Sequence, residues 1–138
     1  MDENVSTARV TDTKRFCNHL AASTYADLSE RARSECRRGV LDWLGCALAG
    51  SVHPTITKLV TVLEKLTGKP VATVFGRNMK LGLLDAALAN GQMGHILDFD
   101  DTHMGGVVLH TSSPVLSALF ALSERSPVTG AQLLLAYA

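Results

Sequence analysis

Between Lys80 and Leu97 the chain reads as a helix crowded with small residues: Gly82, Ala86, Ala87, Ala89, Asn90, Gly91 and Gly94. Small side chains let helix backbones approach closely, so such a helix belongs at the centre of a packed bundle. Glycine inside a helix costs about 1 kcal/mol against alanine, and tight packing or a nearby ligand has to offset that cost. Aromatic residues make up only 5% of the sequence, and Ala and Leu dominate it. This composition favours packed helices over a β-sandwich.

Other segments repeat the helical period. Phe16, Cys17, Leu20 and Ala21 mark a helix from Thr13 to Tyr25. Ser29 fits an N-cap, and Cys36, Val40, Trp43, Leu44 and Ala47 form the inward stripe of a helix reaching about Ala49, with Gly50 as terminator. His53-Pro54 opens a third helix with Ile56, Leu59, Val60, Leu63 and Leu66 on its apolar face and Gly68 as its stop. Pro114 suits the first turn of a helix through Ala118, Leu119 and Leu122, and a last helix starts near Thr129. Val71–Phe75 is the one strand-like run, too short to imply a sheet. The expected class is therefore all-α: a mainly helical bundle segment with at most one short strand near 71–75.

At 138 residues the chain is one domain's worth of sequence. Residues 1–11 are polar and read as a mobile N-terminal segment, which leaves 12–138 as the folded part. Gln132–Ala138 is apolar, with no terminating Gly or Pro, so the chain reads as a fragment of a longer helical protein. Thirteen basic residues balance thirteen acidic ones, so no global field attracts nucleic acid. Arg31, Arg33, Arg37 and Arg38 alternate with Glu30 and Glu35, the pattern of a solvated helix face. No window approaches eighteen uninterrupted apolar residues, so no membrane span is expected. Cys17, Cys36 and Cys46 lie in helical patterns without metal-like spacing, and Met1–Asn4 has no basic signal-like start. Buried free thiols in a reducing, cytoplasmic compartment are the expectation.

Chemistry concentrates where the small-residue helix ends. Gly94–His103 holds three carboxylates, two imidazoles and a hydroxyl within ten residues, threaded by Ile96, Leu97 and Phe99. Ionisable groups interleaved with apolar ones point to a partly buried polar cluster, which is costly unless paired or functional. Three readings fit it. Metal binding is disfavoured by spacing, since no second His lies four residues from His95 and no thiolate is near. Acid–base chemistry on a small anion suits the residue types best, with hydroxyls at Thr111, Ser112 and Ser113 leading into a helix N-terminus at Pro114. In the third, structural reading Asp100 and Asp101 cap turns and His95 donates to a carbonyl within a helical core. For Asp100, Asp101 and His103 taken singly, that reading weighs as much as a functional one. His19 and His53 read as structural. Gly76-Arg77-Asn78 lacks a phosphate-loop pattern, and Ser112 and Ser113 lack a nucleophile elbow.

The helix Val40–Gly50, the run Ala89-Asn90-Gly91 through His95 to Asp98-Phe99-Asp100-Asp101-Thr102, and the later His110 together resemble the MmgE/PrpD family. That group contains 2-methylcitrate dehydratase, cis-aconitate decarboxylase and iminodisuccinate epimerase, and the resemblance runs from about Tyr25 to Ala138. It implies a truncated helical domain without its smaller α+β lid domain, in a parent that is usually a homodimer with no cofactor and no required metal. The substrate class it implies is a di- or tricarboxylate. It further implies active-site positions at Asp98, Thr102 and His110: His110 as general acid/base, Thr102 as a carboxylate donor, and Asp98 orienting a neighbouring histidine or a substrate hydroxyl. His95, His103, Ser112 and Ser113 are the expected substrate-binding residues. The implied reaction is that of a lyase, a dehydratase or decarboxylase, with an epimerase of the same family, or an inactive remnant or interaction module, as the alternatives. Thr111 stands where many members have Pro directly after the histidine, and His103 where several have Trp. The motif lies nearer to decarboxylase-like members than to the methylcitrate dehydratases.

Overall fold

The structure, a computed structural model, describes residues 11–138; apart from Thr11, the N-terminal segment 1–11 lies outside the described residues. Helices dominate: α1 Asp12–Ala22, α2 Glu30–Gly50, α3 Pro54–Leu66, α4 Leu83–His95, α5 Ser112–Arg125 and α6 Gly130–Tyr137, with a 3₁₀ turn at Tyr25–Asp27. No single helix among the described residues is long and apolar enough to cross a membrane. Two short strands, β1 Ala72–Thr73 and β2 Lys80–Leu81, pair antiparallel with Ala72 opposite Leu81. The mainly helical class is as expected; the miniature sheet is a correction. Lys80 and Leu81 belong to it rather than to the helix, because extended backbone at Gly82 (ψ 156°) delays α4 until Leu83.

Local chemistry explains most helix starts. Ser29 Oγ accepts from the Ala32 N–H, His53 Nδ1 from Thr55, and Thr129 Oγ1 from Gln132, whose side chain reaches back in a capping box. Asp101 begins α5: its carboxylate accepts from Ser112 N at 3.1 Å and from Thr111 Oγ1 at 2.9 Å. An acid at that end also meets the positive pole of the helix. On α2, Glu30 lies within 4 Å of both Arg33 and Arg37, and Glu35 pairs with Arg38, as a solvated face should.

The core sits where α2, α4 and α5 meet. Trp43, fully buried, stacks on Phe120 and meets Phe75 edge-on, each at 5.5 Å between ring centroids. Such pairs add about 0.5–1.5 kcal/mol beyond their area burial. Glycines in α4 and at the end of α2 make these approaches possible. A Cβ on Gly94 would sit 2.6 Å from both Trp43 Nε1 and Ser113 Oγ, and one on Gly50 would strike the Met93 carbonyl. Asn90, also fully buried, accepts from Phe75 N at 2.9 Å and donates to Thr73 O at 2.8 Å, fastening the strand segment to α4. From α5, Glu124 grips the same segment through Thr73 N (2.6 Å), Thr73 Oγ1 (2.8 Å) and Lys80 Nζ (2.7 Å).

The expectation for α1 was wrong in one respect. It is helical, but it buries no residue: Phe16 and Leu20 are exposed, and Cys17 is an exposed thiol, whereas Cys36 and Cys46 are buried. An amphipathic stripe fixes which face a helix could bury, and nothing among the described residues covers this one.

Candidate active site

The site forms because α4 stops abruptly. Its last turn closes at Ile96, and Asp98 takes the left-handed conformation (φ 56°) while its N–H bonds back to the His95 carbonyl at 2.8 Å. Aspartate is among the residues that tolerate this region. The reversal carries the chain under the end of α4 and delivers Asp100 beneath His95.

Asp100 is the hub. Its side chain is wholly buried and surrounded by polar partners: His95 Nδ1 at 3.0 Å and His110 Nδ1 at 3.2 Å from Oδ1, and Ser113 Oγ donating to Oδ2 at 2.9 Å. Burial by itself would raise the Asp100 pKa. The hydrogen bonds from His95 and Ser113, with a backbone contribution, outweigh it and hold the carboxyl below the ordinary carboxylate value. The site therefore contains a fixed negative charge inside the protein, facing two imidazoles. Their rings lie 4.5 Å apart, tilted by 59°.

The two histidines are held differently. His95 makes an aligned hydrogen bond to Asp100. His110 Nδ1 is at ion-pair distance from the same oxygen, and its nearest hydroxyl, Thr102 Oγ1, is a long 3.5 Å away. Thr102 directs its own proton to the Asp100 carbonyl at 3.1 Å. Both imidazoles open onto a groove of about 400 Å³ between α4 and α5, walled by Ala87, Leu88, Gly91 and Pro114 with Gln92 at its rim. A charged, protein-held end and an apolar flank are what a pocket needs to orient a small ligand.

The sequence-predicted residues are placed differently by the fold. His95, His110 and Thr102 converge around Asp100. Asp98 does not orient a histidine by hydrogen bonding: its side chain is 80% exposed, and its carboxylate is 3.8 Å from His110 Nε2. The carboxylate in direct reach of both imidazoles is Asp100, two residues on, while the left-handed turn leaves the Asp98 side chain exposed. Ser113 lines the groove but directs its hydroxyl to Asp100, while Ser112 is buried with its hydroxyl on Tyr137 Oη. His103 lies apart, bridging to Leu109 across an exposed loop and turned toward the Gly105 carbonyl.

Asp100 was the residue that sequence reasoning left undecided. Phe99 borders both Asp98 and Asp100, so sequence position alone does not separate them. The metal reading also gains from the structure, since donor atoms of His95, Asp100 and His110 all lie within 4.8 Å of one another. Helical spacing could not reveal this set, because the loop and not the helix brings two of its members in.

Comparison with known proteins identifies the family. The family model for the MmgE/PrpD N-terminal domain matches residues 14–138. The chain is 32% identical over 133 residues to human cis-aconitate decarboxylase, and 30% over 124 residues to the cis-aconitate decarboxylase of Aspergillus terreus. It is 28% identical over 131 residues to the cis-aconitate decarboxylase-like protein oryM of Aspergillus oryzae. These alignments cover 91%, 89% and 90% of the chain but 27%, 24% and 27% of the relatives. The chain thus spans about a quarter of the length of the relatives it matches, and it belongs to the MmgE/PrpD family.

Proposed function

We propose that this chain supplies the histidine–carboxylate part of the active site of a cofactor-independent lyase acting on a di- or tricarboxylate of the cis-aconitate type. The observation that carries the reading is the buried Asp100 carboxylate facing His95 and His110 at the mouth of the α4–α5 groove. The names of the relatives favour decarboxylation over dehydration.

The chemistry asks for little beyond placed protons. When a carboxylate leaves as carbon dioxide, the electron pair of the broken carbon–carbon bond stays on the substrate and must be met by a proton. In dehydration a base takes a proton beside a carboxylate, and an acid protonates the departing hydroxyl. Either route needs an imidazole that can hold a proton and a fixed charge that favours the imidazolium while it lasts. His110 is the acid/base in this reading, Asp100 steadies the pair, and Thr102 is the donor to a substrate carboxylate. Asp98, exposed and 3.8 Å from His110, meets the substrate or a group from elsewhere in the protein. Epimerisation would use the same proton abstraction.

A second reading has its own observation. Leu41, Val52, Leu66 and Leu84 are each at least 70% exposed. Apolar surface of this kind supports association, either in a homodimer or with the remainder of a longer, cytoplasmic protein of which this chain is the N-terminal part. The same exposure favours the alternative of an inactive interaction module.

The test is melting of the chain with cis-aconitate, citrate and methylcitrate, together with turnover measured in a protein carrying the whole site. An upward shift with one ligand, and turnover abolished by His110→Ala with the fold intact, is the expected result. Full turnover in His110→Ala would refute the assignment.

A further inference from the structure

We infer that His95, Asp100 and His110 form a binding site for a zinc-like divalent cation. The donor set is two imidazole nitrogens and one carboxylate oxygen, a combination suited to zinc and its neighbours. A tetrahedral shell with bonds of about 2.0–2.1 Å sets neighbouring ligand atoms about 3.3 Å apart. The Asp100 oxygen already stands 3.0 Å and 3.2 Å from the two Nδ1 atoms, and all three atoms lie within 4.8 Å. The three atoms supply one face of such a shell, and both imidazoles line the open groove.

Three features argue for a cation and not merely a hydrogen-bonded cluster. First, the charged member is buried and pre-aimed: Ser113 Oγ holds Oδ2 of Asp100, which leaves Oδ1 as the single outward ligand. Ligating carboxylates and imidazoles are characteristically oriented by such outer partners. Second, His110 Nδ1 has no aligned hydrogen bond to Asp100, and Thr102 serves the Asp100 carbonyl. The remaining contact of His110 Nδ1 is the long 3.5 Å approach of Thr102 Oγ1, which a cation displaces at little cost. Third, a metal on Nδ1 moves each ring proton to Nε2, and the Nε2 of His110 already faces the Asp98 carboxylate at 3.8 Å.

This inference rests on the same side chains as the proposed function but on binding, not on turnover, so the two fail separately. The experiment is calorimetric titration of the reduced Cys17→Ser chain with Zn²⁺, which removes the exposed thiol as a competing ligand. Cobalt substitution then reads coordination number from visible absorption. One equivalent should bind, the cobalt spectrum should be that of a four-coordinate site, and His95→Gln and His110→Gln should each weaken binding by at least about tenfold. His103→Gln and His19→Gln should leave it unchanged. Nitrogen-15 histidine spectra of the unsubstituted rings provide a readout independent of variant folding, with Zn²⁺ moving the Nδ1 signals of His95 and His110 alone. Absence of binding, equal binding in the His95 and His110 variants, or a response at other histidines would overturn the inference.

Discussion

Asn90 and Asp100 are two buried polar side chains, and they are satisfied in opposite ways. Asn90 is neutral, and both its hydrogen bonds go to backbone groups of the 73–75 segment. Asp100 is charged, and its partners are side chains: two imidazoles and a serine hydroxyl. The first arrangement closes backbone donors and acceptors that would otherwise lie unpaired in the interior. The second holds a charge where burial opposes it, and keeps titratable rings at its edge. A buried polar group that serves backbone is a fastener; one that serves titratable side chains sets up chemistry.

The largest effect that would sharpen this contrast is on turnover. Asp100→Asn places an amide N–H where a carboxylate oxygen accepts, so a protein bearing the whole site should lose about 10²–10⁴-fold in rate while keeping its helical circular dichroism. A rate near that of the parent would break the comparison. Asn90→Ala should do the reverse. It leaves Phe75 N–H and Thr73 C=O without partners, at about 1–3 kcal/mol each, so urea unfolding should show a loss of roughly 3 kcal/mol. Binding of cation or polycarboxylate under native conditions should survive.

Acid should separate the two hubs as well. The Asp100 and Glu124 carboxyls are both held below their ordinary values, despite burial, by hydrogen bonds and, for Glu124, by Lys80. A depressed carboxylate contributes stability that is complete above the unfolded pKa, about 4, and is lost as pH falls through the folded value. Stability should therefore decline below about pH 5 in the parent chain and in Asn90→Ala alike, and less steeply in Asp100→Asn. The smallest effect is at Asp98. Its left-handed backbone suits glycine, so Asp98→Gly should change stability by less than about 1 kcal/mol. A fall in ligand affinity in that variant would assign the carboxylate to the site and not to the turn.

Much of the fold was legible because helix periodicity, caps and small residues are local signals. Ser29, His53 and Thr129 mark their helices in the sequence as they do in space. The crowding of small residues in α4 anticipates its contact with Trp43 and Ser113. Other features needed distance information. The Lys80–Leu81 strand exists only because Ala72–Thr73 lies beside it, and α1 shows that an apolar stripe does not ensure burial. In the site, His95 stands out by residue type and pattern, whereas Thr102 and His110 come chiefly from the family resemblance. The choice among Asp98, Asp100 and Asp101 turned on one left-handed residue, and backbone sign at a non-glycine position leaves little trace in a sequence.

The measurement that bears most directly on the Asp100 hub is the tautomer of His95, read from nitrogen-15 histidine spectra of the chain near neutral pH and of Asp100→Asn. A buried, ionised Asp100 accepting from His95 requires the ring proton on Nδ1, and that preference should disappear in the variant. A His95 ring protonated at Nε2 alone in the parent chain, and unchanged by Asp100→Asn, would contradict the account.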